Sequence, residues 1–255
     1  MTPATVMSGR EQAFWDEHLP PLEQVVAEYR RGPDPNTALM LDALEPLGGR
    51  RVLDFACGAG LTSAWLAARG ASVTGVDISA ASVARAHEVV EALGLRADFV
   101  AGEVDGGALG DAAFDRVTGR WALHHVDTTI VPRALSERLA PGGVGSFHET
   151  MGLNPILRFA RNHLMWLPGI VRFGSVDEHP LLERDLELIR AAFGTLELRV
   201  AELTFVRILD RNLFRHRRPR ARRLAARIDD WLLERGACTW SYHQVLCVAK
   251  PKAAS

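Results

Sequence analysis

Cysteine is scarce. The 255 residues hold only Cys57, Cys238 and Cys247, too few and odd in number for a disulfide scaffold, so a reduced, cytoplasmic setting is expected. Also lacking is any run of about eighteen uninterrupted apolar residues, the length a membrane-crossing helix needs. Even Ile156 to Phe173 is broken by Arg158, Arg161, Asn162, His163 and Arg172. Met1 to Arg10 has no basic segment followed by an apolar run, so neither a signal peptide nor membrane insertion is expected. Excess charge is missing as well. Lys and Arg number 30 against 31 Asp and Glu, and a net charge of −1 gives no global pull toward nucleic acid or anionic surfaces. That balance hides one local bias, because Arg207 to Ile228 carries nine Arg against the single acid Asp210. No tight cluster of Asp, Glu and His appears beyond His124-His125-x-Asp127, so a metal site is not expected. Internal repeats and low-complexity segments are absent too.

What is present suffices for one large α/β domain with a substantial core, since 47% of the residues are apolar. Apolar runs alternate with amphipathic stretches from residue 51 onward. Strands are expected at Arg51–Ala56, Ser72–Val76, Ala97–Ala101, Phe114–Gly119, Val144–Glu149, Thr195–Thr204 and Tyr242–Ala249. Helices are expected at Leu61–Arg69, Ala80–Leu93, Thr128–Leu139 and Leu181–Ala192, with a last one through Ile228–Leu233. Such alternation argues for right-handed βαβ units and a parallel sheet. Residues 11–48 read as one or two helices ahead of this core, with Asn36 or Thr37 as a cap after the turn Gly32-Pro33-Asp34-Pro35. Residues 1–48 are therefore taken as N-terminal helices closing a site on the domain 49–255, whose segments 150–180 and 205–240 interrupt the rhythm as caps.

The chemistry concentrates in Arg51-Val52-Leu53-Asp54-Phe55-Ala56-Cys57-Gly58-Ala59-Gly60, a buried strand running into a glycine turn that opens a helix. Small residues at 56, 58, 59 and 60 let a ligand lie against bare backbone at a helix N-terminus. Seventeen residues after Gly60, Asp77 ends the next strand, where a carboxylate can accept both hydroxyls of a ribose. The pair points to a nucleoside site. A nicotinamide dinucleotide fits less well, because Ser63 stands where the third glycine of G-x-G-x-x-G belongs and Asp54 would repel a pyrophosphate. His124 and His125 end the fourth strand as candidate bases, since histidine titrates near neutrality. Glu149 and His148 alternate along the fifth strand, so only one of them faces a pocket.

These residues resemble the class I S-adenosylmethionine-dependent methyltransferases. The motif Asp54-Phe55-Ala56-Cys57-Gly58-Ala59-Gly60 is similar to the family's first, with Ala56 in place of a frequent glycine. Asp77 matches its ribose-binding acid, and Glu103, in Ala101-Gly102-Glu103-Val104, falls where an acid receives the adenine amino group. Leu123-His124-His125 and Leu139-Ala140-Pro141-Gly142-Gly143 resemble two later family motifs. The resemblance implies a doubly wound, Rossmann-like, seven-stranded sheet with the last strand antiparallel and a cap inserted after the fifth strand.

It further implies S-adenosyl-L-methionine as cofactor, S-adenosyl-L-homocysteine as product, and a cofactor site of Asp54, Ala56, Cys57, Gly58, Gly60, Asp77, Ile78, Glu103, Val104 and Arg120. The expected catalytic set is His124, His125 and Glu149, with Trp15, Trp121, Met151 and Trp166 against the acceptor. The expected reaction is methyl transfer to a small, largely apolar acceptor, through a hydroxyl of a bacterial secondary metabolite. High Arg and Ala usage is associated with the GC-rich genomes in which such pathways are common. C- or N-methylation, a cyclase or decarboxylase on the same fold, and a non-catalytic binder of an anionic partner stay open. No nucleic-acid partner is expected, since the Arg-rich stretch has only Phe214 for stacking and no Asn/Asp-Pro-Pro-aromatic motif follows the fourth strand.

Overall fold

The computed structural model describes residues 3–104, 107–163, 179–209 and 219–252. Three helices come first: α1 (Pro3–Glu17), α2 (Leu22–Arg31) and α3 (Pro35–Asp42). Then follow β1 (Arg51–Phe55), α4 (Leu61–Ala68), β2 (Ser72–Asp77), α5 (Ala80–Ala92), β3 (Asp98–Ala101), β4 (Phe114–Arg120), α6 (Val131–Arg138) and β5 (Leu139–Thr150). The chain continues through α7 (Pro155–His163), α8 (Glu183–Phe193), β6 (Thr195–Arg199), α9 (Val206–Leu209), α10 (Pro219–Glu234) and β7 (His243–Ala249). The strands form one sheet in the order β3-β2-β1-β4-β5-β7-β6. The first five pair in parallel, and β7 runs antiparallel to both neighbours. The expected sheet, with its last strand antiparallel, is thus the observed one, while residues 164–178 of the cap expected after β5 lie outside the described residues. Among the described residues, no helix is long and apolar enough to cross a membrane.

Two apolar layers hold the sheet, and the two-residue strand period divides the side chains between them. Leu53, Val117, Phe147 and Leu246 pack with Leu135 of α6 and Ile189 and Phe193 of α8. Val52, Val73 and Val245 pack on the opposite face with Met40 and Leu41 of α3 and Trp65 and Leu66 of α4. Helix α3 is therefore core rather than an appendage. A third cluster joins Leu157 of α7 to Leu203, Phe205 and Ile208.

Local signals set the element ends, with several departures from expectation, among them an end of β6 at Arg199 rather than Thr204. Asp34, not Asn36 or Thr37, caps α3, its carboxylate accepting from the Asn36 and Thr37 amides while Pro35 fills the first helical turn. Asn36 instead pins the strand-end loop, accepting from the Ala201 and Glu202 amides and donating to the Glu202 carbonyl. Strand β5 also starts earlier than its apolar run suggests. Leu139 already pairs with Phe114, and the Pro141-Gly142-Gly143 turn lies within the strand as a shift of register. Ser79 caps α5 through the Ser82 amide.

Candidate active site

The carboxyl ends of β1 to β5 lie along one edge of the sheet, and every candidate residue of the described chain outside α1 lies on or just beyond them. At the end of β1 the backbone enters the left-handed region at Ala56 (φ 52°), Gly58 (φ 50°) and Gly60 (φ 80°). Gly60 admits no larger residue, because a Cβ there would stand 2.8 Å from that of Ala86 on α5. Ala56 adopts a conformation that glycine reaches without strain. The turn is locked to β2: the Cys57 amide donates to the Val76 carbonyl, and the Gly58 amide to Asp77 Oδ2 at 2.8 Å. Asp77 Oδ1 accepts the Ser79 amide at 2.9 Å. Each Asp77 oxygen thus uses one lone pair and keeps capacity for a hydroxyl. Burial raises its pKa, opposed by those two amides.

Asp54 is fully buried beneath the turn. Its Oδ2 accepts the Ser63 hydroxyl at 2.6 Å, while Oδ1 has no partner. Ser63, which sequence reasoning weighed only as a replaced glycine, is this carboxylate's one hydrogen-bond donor among the described residues. Burial pushes the Asp54 pKa up to about 7, against the Ser63 hydrogen bond and the Arg120 charge. An orphaned buried oxygen of this kind needs an explanation, and a cationic group supplied from outside the chain is one. Arg120 ends β4 with its guanidinium between the Trp65 and Trp121 rings, 5.5 and 4.5 Å from their centroids, and 3.4 Å from Glu28 Oε1. Cys57 is buried, which holds its thiol well above the ordinary range, and Ile78 is half-buried. Beyond β3, Glu103 is exposed and Val104 buried, with the Gly102 amide tied to the Asp77 carbonyl at 2.8 Å.

The loop after β4 is clamped by Glu149. Its Oε1 accepts the Ala122 and Leu123 amides at 3.1 and 2.8 Å, and its Oε2 stands 2.7 Å from His124 Nδ1. His125 is held differently, with Nδ1 3.3 Å from Glu11 Oε2 of α1, the oxygen that also accepts Trp15 Nε1. The Trp15 ring stands edge-on to His125 at 5.9 Å. Farther along α1, Asp16 accepts the Ser79 hydroxyl, so this helix spans from the end of β2 to the His124–His125 loop. Trp121 has φ 57° and a ring 42% exposed. Met151 is buried in the core, its amide donating to the Tyr242 carbonyl, while Trp166 falls outside the described residues. His148 faces away from Glu149, toward α3, where its Nδ1 lies 2.9 Å from Thr37 Oγ1. Sequence reasoning read Thr37 only as a candidate cap and Asp34 only as part of a turn, and passed over Glu11; an Asp before Pro is the one local signal, and it speaks only of a helix cap.

Residues 52–143 match a family model described as a methyltransferase domain. Two relatives are ubiquinone biosynthesis O-methyltransferases. That of Rhizobium johnstonii is 34% identical over 155 residues, 56% of this chain and 62% of the relative. That of Paracidovorax citrulli is 39% identical over 109 residues, 40% and 44% of the two chains. The chain thus spans about half the length of the curated relatives it matches. Among solved structures, the YcgJ protein of Bacillus subtilis superposes with a TM-score of 0.58 at 18% identity over 84% of this chain and 98% of that one. The [4+2]-cyclase SpnF superposes with a TM-score of 0.56 at 23% identity over 85% and 80%. At such identities the structures show the fold.

Proposed function

We propose that the chain is a class I S-adenosylmethionine-dependent methyltransferase, a reading supported by the match of residues 52–143 to a methyltransferase domain, and that it transfers a methyl group to a hydroxyl of a small, largely apolar molecule. The observation that carries the cofactor half of this reading is the unpartnered Asp54 Oδ1, buried under the glycine turn. Asp54 would take the cofactor's ammonium and Arg120, whose charge reaches Asp54, its carboxylate. Gly58 and Gly60 present side-chain-free backbone to the methionine portion, with Ala56, Cys57 and Ile78 around it. Asp77 would receive the ribose hydroxyls, and Glu103 the adenine amino group beside Val104.

When bound, the cofactor supplies an already activated methyl group on a sulfonium. The protein's task is then alignment, exclusion of water and removal of one proton. Helix α1 would close the site, holding Trp15 and Asp16 against the two loops that flank it. Glu149 and His124 order the loop that carries Trp121, and the exposed indole of Trp121 offers a flat apolar surface to the acceptor. A hydroxyl acceptor is supported by relatives named O-methyltransferases, and an aromatic, phenolic one by the indole wall.

Calorimetric titration with S-adenosylhomocysteine tests the cofactor site. Binding in the micromolar range is expected, weakened at least tenfold by Asp77→Ala, since each lost hydrogen bond to a charged acceptor is worth ~1.5–3 kcal/mol. A folded protein that binds no S-adenosylhomocysteine would refute the assignment. The acceptor class is tested with catechols, polyprenylated phenols and hydroxylated aromatic polyketides, scored by gain of one methylene in mass and by release of S-adenosylhomocysteine.

A further inference from the structure

Strand β5 delivers two polar side chains to the site, and they differ in what is left unused. Both Glu149 oxygens are engaged, by two amides and by His124. His148 is engaged at one nitrogen only. Its Nδ1 lies 2.9 Å from Thr37 Oγ1, and Thr37 Oγ1 lies 2.5 Å from Asp34 Oδ2. Against its burial, the Asp34 carboxylate is held ionised below the usual carboxylate range by the Thr37 hydroxyl and amide and the nearby Arg120 charge. A carboxylate can only accept, so the single hydroxyl hydrogen of Thr37 goes to Asp34. Thr37 therefore offers His148 a lone pair, and Nδ1 must carry the hydrogen. In the neutral ring that leaves Nε2 bare, and Nε2 is buried with no hydrogen-bond partner.

The position of this nitrogen gives it a use. His148 pairs with Arg120 across the β4–β5 ladder, and its carbonyl accepts the Trp121 amide at 2.8 Å. The Trp121 and His243 rings each lie 5.8 Å from the imidazole. Buried polar atoms without partners are rare, and one at the carboxyl end of a strand, beside the exposed Trp121 indole, is suited to a ligand hydroxyl. The two histidines of the neighbouring loop both have their Nδ1 committed to holding elements together, His124 to β5 and His125 to α1.

We propose that His148 is the general base of the transfer, its tautomer set by the chain Asp34–Thr37–His148. The inference rests on the reading that the chain methylates a hydroxyl. As the acceptor oxygen bonds to the methyl carbon, the carbon–sulfur pair returns to sulfur and the hydroxyl proton passes to His148 Nε2. The imidazolium then donates through Nδ1 to Thr37, next to the Asp34 charge, and loses its proton to water when products leave. Asp34 and Thr37 are positioning residues. The groups that bear on the ring are Asp34 from α3, Arg120 from β4, Glu149 from β5, His124 from the loop and His243 from β7. Burial, reinforced by Arg120 and opposed by Asp34, brings its pKa down to about 4. The ring is thus unprotonated at neutral pH, and the Arg120 charge that depresses it also favours an ionised hydroxyl beside it.

Nitrogen-15 spectra of the imidazoles in the S-adenosylhomocysteine complex, with the His148 signals identified by their loss in His148→Asn, test the tautomer without turnover. A neutral ring protonated at Nδ1 between pH 5.5 and 8 is expected, with Thr37→Val producing a tautomer mixture. An Nε2-protonated ring would overturn the proposal. Kinetics test the base on a phenol that the wild type methylates. His148→Asn keeps an N–H for Thr37 and should lower kcat by about 10²-fold or more at unchanged S-adenosylhomocysteine affinity. The wild-type profile should lack an acid limb near histidine's ordinary value of about 6.5. A kcat within threefold of wild type, or an acid limb that vanishes in His124→Asn or His125→Asn, removes His148 while leaving methyl transfer standing. Should His148→Asn fail to fold, Thr37→Val takes its place, with a kcat loss of about tenfold expected and none overturning the relay. A wild type that binds S-adenosylhomocysteine but methylates no phenol refutes the hydroxyl reading, and the base with it.

Discussion

Asp54 illustrates how a site residue can oppose the stability of its own fold. Burial, opposed by the Ser63 hydrogen bond and the Arg120 charge, raises its pKa from 3.8 to about 7. Between those values the folded chain holds a proton that the unfolded chain has released. Stability from this group is therefore full below about pH 4, falls as pH rises toward 7, and stays lost above it. The gap is worth on the order of 4 kcal/mol if nothing relaxes. Asp54→Asn, which keeps an acceptor for Ser63 and never ionises, should stabilise the chain by about 1–3 kcal/mol at pH 8 and leave it unchanged at pH 4. Urea melts at the two pH values measure this, and an equal gain at both would show that ionisation is not the cause. The same variant should bind S-adenosylhomocysteine more weakly, because the carboxylate proposed to receive its ammonium is gone. The motif around Asp54 was legible because turn, acid and helix start are neighbours in sequence. Its orphaned oxygen was not, since burial is a property of the packed chain.

At the scale of elements, the end of β5 and the loop after β4 behave as one unit. Glu149 satisfies two loop amides and His124, all buried, across 25 to 27 residues of sequence. Removing it orphans three polar groups at once. Glu149→Ala should cost about 3–5 kcal/mol, and Glu149→Gln less, because an amide oxygen still serves the two backbone donors. Thermal melts of the two variants check the order, and equal losses would point to a mere gap in packing. Alternation along β5 foretold that only one of His148 and Glu149 faces a given side. Which side meets which helix depends on α3, whose capping Asp34 and Thr37 lie over a hundred residues away. The early start of β5 was hidden for a similar reason, since Pro141-Gly142-Gly143 reads as a turn until Phe114 pairs with Leu139. The Arg-rich stretch also divides by element. Arg207 is ion-paired with Glu202 and Asp230, Arg220, Arg222, Arg223 and Arg227 are exposed on α10, and residues 210–218 lie outside those described.

For the molecule as a whole, the N-terminal helices do two different jobs. Helix α3 is buried in the second apolar layer, with Met40 and Leu41 inaccessible to solvent, while α1 is attached by polar contacts of Glu11 and Asp16 in its C-terminal half. Deleting residues 1–18 should leave the fold cooperative, shift its melting point by only a few degrees and weaken S-adenosylhomocysteine at least tenfold. Deletion through residue 48 should abolish folding, because it strips one face of the sheet. Calorimetry and melts of both truncations check this, and unchanged affinity without α1 would show that the helix does not close the site.

By itself the sequence determined the layered α/β sheet, the glycine turn at 56–60 and the Asp77 partner. Apolar periodicity and turn chemistry act over a few residues, and a local cause leaves a local trace. Only the tertiary structure decided that Asp34 caps α3, that Glu149 is spent on the loop, and that His148 keeps a bare nitrogen. Each of those outcomes depends on which groups remain once distant segments have satisfied one another's hydrogen bonds, a competition settled by packing in three dimensions.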